Sequence, residues 1–399
     1  MALLRLRLRG ASIYMQKDKI FIFLILALFI LGGFTLLNGR YATPFLIKGF
    51  NRVNFLTDLI KKSEPFPVKG IYATFRTAGN SRIDDLITLI DRTELNAIVI
   101  DLKDYTGRVP FETNSDIIKK IGSEKFFIKD IKRLIKELHK KNIYVIARIA
   151  VFEDNYLPRK RMDLALQRVG GGIWEDNNGL AWVDPSSQEV WDYNLEIVKE
   201  AIRVGFDEIN FDYIRFPSDG NTADIVYPFW DGKTLKKEVM REFFEYIEQR
   251  LEPLGVPISA DLFGLTMSST NDLGIGQWLE NSAQYFDYIC PMVYPSHYPS
   301  GFMGYANPAQ YPYEIILTEL KKGNERLANL SASNPELKLA KIRPWLQDFN
   351  MGAIYDAEMI KLQKKATEEG GGFGWLLWNP RNIYTEDGLL VPSEVESRY

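Results

Sequence analysis

The chain has 399 residues, 46% of them apolar and 25% charged, a composition that excludes a fully disordered chain and a low-complexity fibre. Its 49 lysines and arginines are balanced by 52 aspartates and glutamates, which argues against a nucleic-acid-binding protein. With one cysteine and two histidines, the chain has few ligands for a zinc site. We therefore expect that the protein uses no cofactor and that any hydrolytic chemistry relies on carboxylates.

An apolar segment near the N-terminus predicts a membrane anchor. Residues 20–37 contain no charge over 18 positions, and about 1.5 Å of rise per residue lets such a helix span most of a bilayer core. The preceding segment, 1–19, is basic, so we expect it to be cytoplasmic and the rest of the chain to be extracytoplasmic in a single-pass cell-membrane protein. A cleaved signal peptide is the alternative, although its apolar region is normally only about 7–15 residues long.

From residue 68 onward, short apolar runs alternate with longer amphipathic stretches. The predicted strands are Gly70–Phe75, Ala97–Asp101, Ile143–Ile149, Glu208–Tyr213, Ile258–Phe263, Tyr288–Tyr294, Ile342–Leu346 and Gly374–Trp378. The predicted helices are Ser81–Thr93, Ile128–Lys141, Ser187–Val204, Leu235–Leu251, Gln277–Tyr285, Pro312–Leu327 and Asp356–Glu369.

This alternation is typical of parallel βαβ units, and eight of them predict an α/β fold, the (β/α)8 TIM barrel, over residues 68–380. Residues 38–67 then form a linker and residues 381–399 a C-terminal tail. An open doubly wound sheet is the second possibility, but no G-x-G-x-x-G motif follows the first strand.

Barrel enzymes have their active sites at the C-terminal ends of the strands, so only the Asp and Glu residues near those ends are candidate catalytic acids. Asp212 lies near the end of the fourth predicted strand and Asp261 on the fifth, each amid apolar residues where an unused carboxylate is costly to bury. We therefore expect Asp212 and Asp261 to form a catalytic carboxylate pair, one protonated and one ionised. The alternative is that each forms a structural ion pair or cap.

Further residues near the same strand ends are candidates for substrate binding. Charged side chains could clamp a sugar or hold a carboxylate ionised, and aromatic side chains could stack on sugar rings, although structural pairing and core packing explain them as well. Glu153 and Asp154 follow the third strand, where loop acids are usually solvated. The candidates are Asp101, Lys103, Arg148, Tyr213, Arg215, Tyr294, His297, Trp345, Asp348, Trp375 and Trp378.

Three segments carry a resemblance to a known family. Asp207–Pro217 (DEINFDYIRFP), Ser259–Gly264 (SADLFG) and Pro291–Pro295 (PMVYP) resemble the putative glycosyl hydrolase domain family known as domain of unknown function 4015. The resemblance implies the same barrel and glycoside hydrolysis. By likeness to the α-amylase clan, Asp212 takes the nucleophile position of strand four, whereas Asp261 stands where that clan has a glutamate.

A second likeness concerns glycoside hydrolase family 18, whose strand-four pattern is Asp-x-Asp-x-Glu. This chain has Met292-Val293-Tyr294 like that family's strand six, but Ile214 stands at the position of the catalytic glutamate. The resemblance therefore disfavours a mechanism that uses the substrate's acetamido group.

The sequence leads to a membrane-anchored glycoside hydrolase that acts on an extracytoplasmic or cell-envelope polysaccharide. Asp212 would be the nucleophile or charge stabiliser and Asp261 the general acid/base. Two alternatives stay open: a catalytically inactive barrel that binds glycan, and an enzyme whose acids hold a divalent cation.

Overall fold

The computed structural model describes residues 65–391. The predicted basic segment 1–19 and anchor 20–37 lie outside the described residues, as do residues 38–64 of the predicted linker and the end of the predicted tail, 392–399. Within residues 65–391, no helix has both the length and the apolar character needed to cross a bilayer.

Eight parallel strands form a closed barrel, so the predicted (β/α)8 fold is confirmed. Each strand pairs with the next in chain order, and the last strand pairs with the first, which closes the barrel. Between the sixth and seventh strands, Trp345 lies opposite Met292. The strands are β1 Val68–Ala73, β2 Ala97–Lys103, β3 Tyr144–Ala150, β4 Glu208–Asp212, β5 Ile258–Phe263, β6 Tyr288–Met292, β7 in two pieces (Lys341–Ile342 and Trp345–Gln347) and β8 Gly374–Trp378.

The helices surround the barrel, and the chain itself supplies the signals that begin and end them. Ser187 accepts a hydrogen bond from the Val190 N–H at one helix start, and Gly205, at φ +108°, ends that helix in a conformation that suits glycine. The α-helices are Phe75–Ala78, Arg82–Asp91, Asp116–Ile121, Ile131–Lys140, Leu157–Lys160, Gln188–Val204, Lys236–Leu251, Leu279–Ala283, Pro312–Ser333 and Ala357–Glu369.

Strand residues alternate between two buried layers. Tyr72, Val99 and Cys290 belong to the cluster inside the barrel, whereas Ile71 and Ile98 belong to the larger cluster between the strands and the helices. Both layers exclude water, so a charged side chain inside the barrel needs a partner there.

The structure differs from the prediction mainly in short elements. Three helices of four to six residues follow β1, β2 and β3 and were not predicted, because so few residues show no helical period. The seventh strand is interrupted at Arg343 and Pro344, since proline has no N–H to donate to the neighbouring strand.

The loops that follow β3 and β4 are joined by a short antiparallel pair, Gln167–Arg168 with Ile225–Val226. Both loops start from the C-terminal ends of their strands, so this pair ties together the chain segments at the rim where a barrel site is expected. At the chain's other end, Asn382 and Tyr384 both donate side-chain hydrogen bonds to the Tyr72 carbonyl oxygen of β1.

Candidate active site

One buried arginine organises the candidate site. Arg148 of β3 points into the barrel, and its Nη1 lies 2.6 Å from Oδ1 of Asp101. Its Nη2 donates to Oδ2 of Asp212, and its Nε lies 3.7 Å from Oδ2 of Asp261. The structure thus brings together four of the residues predicted from sequence, with one guanidinium facing three carboxyl groups.

Strand register explains why these side chains meet. Asp101 of β2 lies opposite Arg148, and Arg148 lies opposite Asn210 of β4. Asn210 in turn lies opposite Ser259 of β5, and its Nδ2 donates to Asp261 Oδ1 at 2.8 Å. Because β2 to β5 are neighbouring parallel strands, their C-terminal halves present these polar groups to one region of the barrel interior.

Asp212 lies at the last residue of β4 and keeps 6% of its surface exposed. Arg148 holds one of its oxygens, and the N–H of Tyr213 donates to the other at 2.5 Å. Tyr213 has φ +52°, a left-handed conformation that costs an aromatic residue of order 1–3 kcal/mol. The chain thus adopts an unfavourable conformation beside a carboxylate fixed at both oxygens.

Asp261 lies deeper than Asp212, with only 1% of its surface exposed. Its Oδ1 accepts hydrogen bonds from Trp345 Nε1 at 2.7 Å and from Asn210 Nδ2. Burial raises the pKa of Asp261, and the nearby charge of Asp212 raises it further, against the opposing effect of Arg148. This carboxyl therefore favours its protonated form more than an ordinary aspartate does.

Aromatic rings line one side of the cluster. Tyr72 and Trp378 stack at 3.9 Å between ring centroids, and Trp345 meets Trp378 edge-on at 5.5 Å. The Tyr72 hydroxyl donates to Asp101, whose pKa burial raises to about 6 although Arg148 opposes the shift. Tyr72 was not among the predicted site residues, although the alternation of side chains along β1 was a usable signal for its inward position.

Arg215 forms a second aromatic arrangement beyond the end of β4. Its guanidinium lies 4.8 Å from the Trp182 ring, 5.3 Å from Tyr213 and 4.9 Å from Phe263. It donates to the Phe216 carbonyl oxygen, at 3.1 Å, and forms no ion pair within residues 65–391. Its guanidinium also donates to Ser218 Oγ at 3.1 Å, and burial lowers the pKa of Arg215.

An apolar hollow opens beside the cluster, past the ends of β5 and β6. The Tyr294 and His297 rings lie 5.3 Å apart there, and burial lowers the pKa of His297. The hollow has a volume of about 220 Å³ and is lined by Phe263, Gly264, Leu265, Met292, Tyr294, His297 and Tyr298.

Three of the predicted residues lie outside the Arg148 cluster, the Arg215 arrangement and the hollow. Lys103 is fully buried, and its Nζ lies 2.9 Å from Asp154 Oδ2 in a closed ion pair. Asp348 accepts hydrogen bonds from the backbone N–H and the hydroxyl of Thr385. Trp375 packs in the layer between strands and helices, on the opposite face of β8 from Trp378.

Across residues 65–391, no group of three or more His, Cys, Asp or Glu side chains is arranged to hold a metal ion. The position between the three aspartates of the cluster is taken by the guanidinium of Arg148.

Comparison with solved structures finds the same fold in proteins of low sequence identity. The PgaB (BpsB) glycoside hydrolase domain from Bordetella bronchiseptica is 12% identical, with a TM-score of 0.55 over 79% of this chain and 94% of that chain. Alpha-L-fucosidase isoenzyme 2 from Paenibacillus thiaminolyticus is 14% identical, with a TM-score of 0.54 over 84% of this chain and 50% of that chain. At these identities the likeness concerns the fold.

A hypothetical protein from Ruminiclostridium thermocellum is 40% identical over 48% of this chain and 96% of that chain, with a TM-score of 0.44. A comparison of the sequence with curated proteins gives no match. The family model DUF4015, described as a putative glycosyl hydrolase domain, matches residues 70–384. The chain therefore belongs to this glycosyl hydrolase domain family, as its sequence resemblance predicted.

Proposed function

We propose that the protein hydrolyses O-glycosyl bonds of a polysaccharide or oligosaccharide at the C-terminal face of its barrel. The observation that carries this proposal is Asp212, a carboxylate at the end of β4 that Arg148 and the Tyr213 N–H hold in place beside stacked aromatic rings. Membership of a glycosyl hydrolase domain family and the fold of the neighbouring structures support the reaction class.

Asp212 would act as the nucleophile or as the stabiliser of the positive charge that develops on the sugar. Glycoside hydrolysis passes through an oxocarbenium-like transition state, and a fixed carboxylate lowers its energy without having to reorganise. The stacked rings of Tyr72 and Trp378 offer apolar surface of the kind that packs against sugar rings.

The sequence assigns the general acid/base role to Asp261, and its raised pKa supports a protonated state. Both of its oxygens are nevertheless engaged: Oδ1 by Trp345 and Asn210, and Oδ2 at 3.7 Å from the Arg148 guanidinium. The role of Asp261 is therefore tested separately from that of Asp212, through an Asp261→Asn variant.

For the cellular setting, we propose an extracytoplasmic barrel anchored by residues 20–37, which makes cell-envelope polysaccharides the first substrates to test. Cells that express the full chain would be fractionated, and intact cells would be treated with protease. We expect the protein in the membrane fraction, with its barrel accessible from outside; a protein recovered entirely in the cytosol would contradict the proposal.

The activity test is a screen of the full chain against labelled cell-wall and storage glycans. We expect Asp212→Asn to lower kcat by at least about 10²–10³, because the neutral amide cannot balance the sugar's positive charge. Asp163→Asn is the matched control, since Asp163 pairs with Arg161 on the surface and should leave the rate unchanged.

A second candidate function is glycan binding without hydrolysis. It is favoured by the contact of Arg148 with all three aspartates of the cluster, which partly neutralises the groups that catalysis needs. Glycan binding by the parent and by Asp212→Asn alike, with no hydrolysis by the parent, would establish this function instead.

A further inference from the structure

A carboxyl group just beyond the third strand is engaged by no other group in the part of the chain that the structure describes. Glu153 keeps only 5% of its surface exposed, yet no hydrogen bond or ion pair within residues 65–391 involves its carboxyl group. Its carboxyl oxygens are not among the fully buried polar atoms that lack a partner in this part of the chain, so the group is held by no neighbour and can still be reached from solvent.

The backbone places Glu153 at the mouth of the candidate site. The Val151 N–H donates to the Asp212 carbonyl oxygen at 2.9 Å and the Phe152 N–H to that of Tyr213 at 3.3 Å, so the chain continues alongside β4 past the rim. The backbone of Glu153 then forms an antiparallel β-bridge with Trp182, and the Arg215 guanidinium lies over the Trp182 ring.

The charges around Glu153 belong to the loops over this rim. Burial raises the pKa of Glu153 to about 8; Arg215 opposes the shift, and Asp176, Asp212 and Asp219 add to it. The carboxyl of Glu153 is therefore protonated at neutral pH, while Asp212 is in contact with the Arg148 guanidinium. A catalytic pair of carboxyl groups requires such a difference, with one group protonated and the other paired with a cation.

Resting on the glycosidase function proposed above, we propose that Glu153, rather than Asp261, is the general acid of this site. Its proton moves to the glycosidic oxygen as the bond from that oxygen to the anomeric carbon breaks, and the bond's electron pair leaves with the alcohol. Asp212 balances the positive charge on the sugar. Water then adds to the anomeric carbon and releases one proton, which restores Glu153.

The test compares leaving groups. For the sugar that the parent cleaves, the phenyl and the 2,4-dinitrophenyl glycoside would be assayed with the parent, Glu153→Gln and Asp261→Asn. We expect Glu153→Gln to lose about 10²–10⁴ in kcat/KM on the phenyl glycoside and far less on the dinitrophenyl glycoside, whose leaving group needs no proton. Equal losses on both substrates, or this selective loss in Asp261→Asn instead, would overturn the proposal.

The pH profile gives a second readout. Because the pKa of Glu153 lies near 8, we expect kcat/KM of the parent to fall above about pH 8 and this basic limb to disappear in Glu153→Gln. Glu175→Gln is the control: Glu175 lies in the same loop region, pairs with Arg159 at the surface and should keep the parent profile.

Infrared difference spectra of the parent and Glu153→Gln at pH 7 test the acid role of Glu153 separately from the glycosidase function. We expect the parent to show a protonated carboxyl band that the variant lacks; absence of that difference would refute a protonated Glu153 whatever the activity. A parent that cleaves no glycan would instead refute the glycosidase function, and the acid role with it. If the parent cleaves glycan and Glu153→Gln cleaves it equally fast, the acid role alone is refuted.

Discussion

The barrel interior holds two buried arginine clusters that differ in their charge balance. In the first, Arg343 pairs with Glu208, both side chains are fully buried, and Ser259 Oγ donates to Glu208 Oε1 at 2.6 Å. One cation meets one carboxylate. Such a pair is closed: its charges cancel, and nothing approaches it from solvent.

In the second cluster, Arg148 faces Asp101, Asp212 and Asp261, and Asp212 reaches the rim. One cation cannot neutralise three carboxylates, so this region either keeps negative charge or holds protons. Both properties suit the cleavage of an acetal, which needs an anion near the sugar and a proton for the leaving oxygen. Charge imbalance, rather than burial of charge, therefore distinguishes the candidate site from the barrel core.

The largest effect is expected from Arg148→Met. Without the guanidinium, the three aspartates lose their shared cation, and Asp212 loses the group that holds its Oδ2 in place to balance the sugar's charge. We expect kcat to fall by at least about 10²–10³. Arg92→Met, which removes a surface ion pair with Glu386, is the control and should leave kcat unchanged.

Arg148→Met also has a signature in stability. Arg148 opposes the raised pKa values of Asp101 and Asp261, so without it both pKa values rise further, the folded state binds more protons, and stability falls more steeply with rising pH than in the parent. Urea unfolding at pH 5 and pH 7.5 checks this sign. A variant whose stability changes between these pH values no more than that of the parent would show that Asp101 and Asp261 do not depend on Arg148.

The next largest effect is expected from Arg343→Met, and it should appear in stability alone. This change leaves Glu208 buried without its partner, which costs about 3–5 kcal/mol of unfolding free energy. The double variant Glu208→Gln/Arg343→Met should recover most of that loss in urea unfolding. The activity per folded molecule should stay at the parent level, and a large drop would mean that the two clusters are coupled.

Periodicity predicted most of the fold. The bounds of β5 and β8 agree with their predicted ranges, and every predicted helix is present. The break in β7 and the short helices after β1 to β3 depend on contacts between chain segments, which no local pattern contains.

The site was only partly accessible from sequence. Strand ends indicated Asp101, Arg148, Asp212 and Asp261, but the register that brings Arg148 into contact with the three aspartates is a property of the closed barrel. The pairing of Arg343 with Glu208 joins residues 135 positions apart, which local pattern cannot reveal. Trp375 was a different case: it stands three residues before Trp378, so alternation along β8 already placed the two on opposite faces.

Glu153 shows why burial of a loop acid cannot be inferred from its position. In sequence it follows β3 as an ordinary charged loop residue, which predicts exposure. In the structure, residues 181–183 pair alongside 152–154 and bring Trp182 beside it. The residues that bury Glu153 therefore come from about thirty positions further along the chain.

The smallest effect is expected from Trp345→Phe, compared with Trp375→Phe. Both indoles are buried, but Trp345 Nε1 donates to Asp261, whereas Trp375 Nε1 has no partner within residues 65–391. Loss of a hydrogen bond to a carboxyl group that favours its neutral form should make Trp345→Phe the costlier change, by about 0.5–1.5 kcal/mol in urea unfolding. Equal costs would mean that the Asp261 bond adds nothing to stability.

The same variant sharpens the assignment of the acid, because the lost hydrogen bond lowers the pKa of Asp261 in the parent. In Trp345→Phe the pKa of Asp261 therefore rises. If Asp261 supplied the proton, the pH at which kcat/KM falls on the basic side would move upward as well. With Glu153 as the acid, the limb should stay near pH 8, since Trp345 is not among the groups that shift Glu153. A limb that moves upward in Trp345→Phe and stays in place in Trp375→Phe would return the role to Asp261.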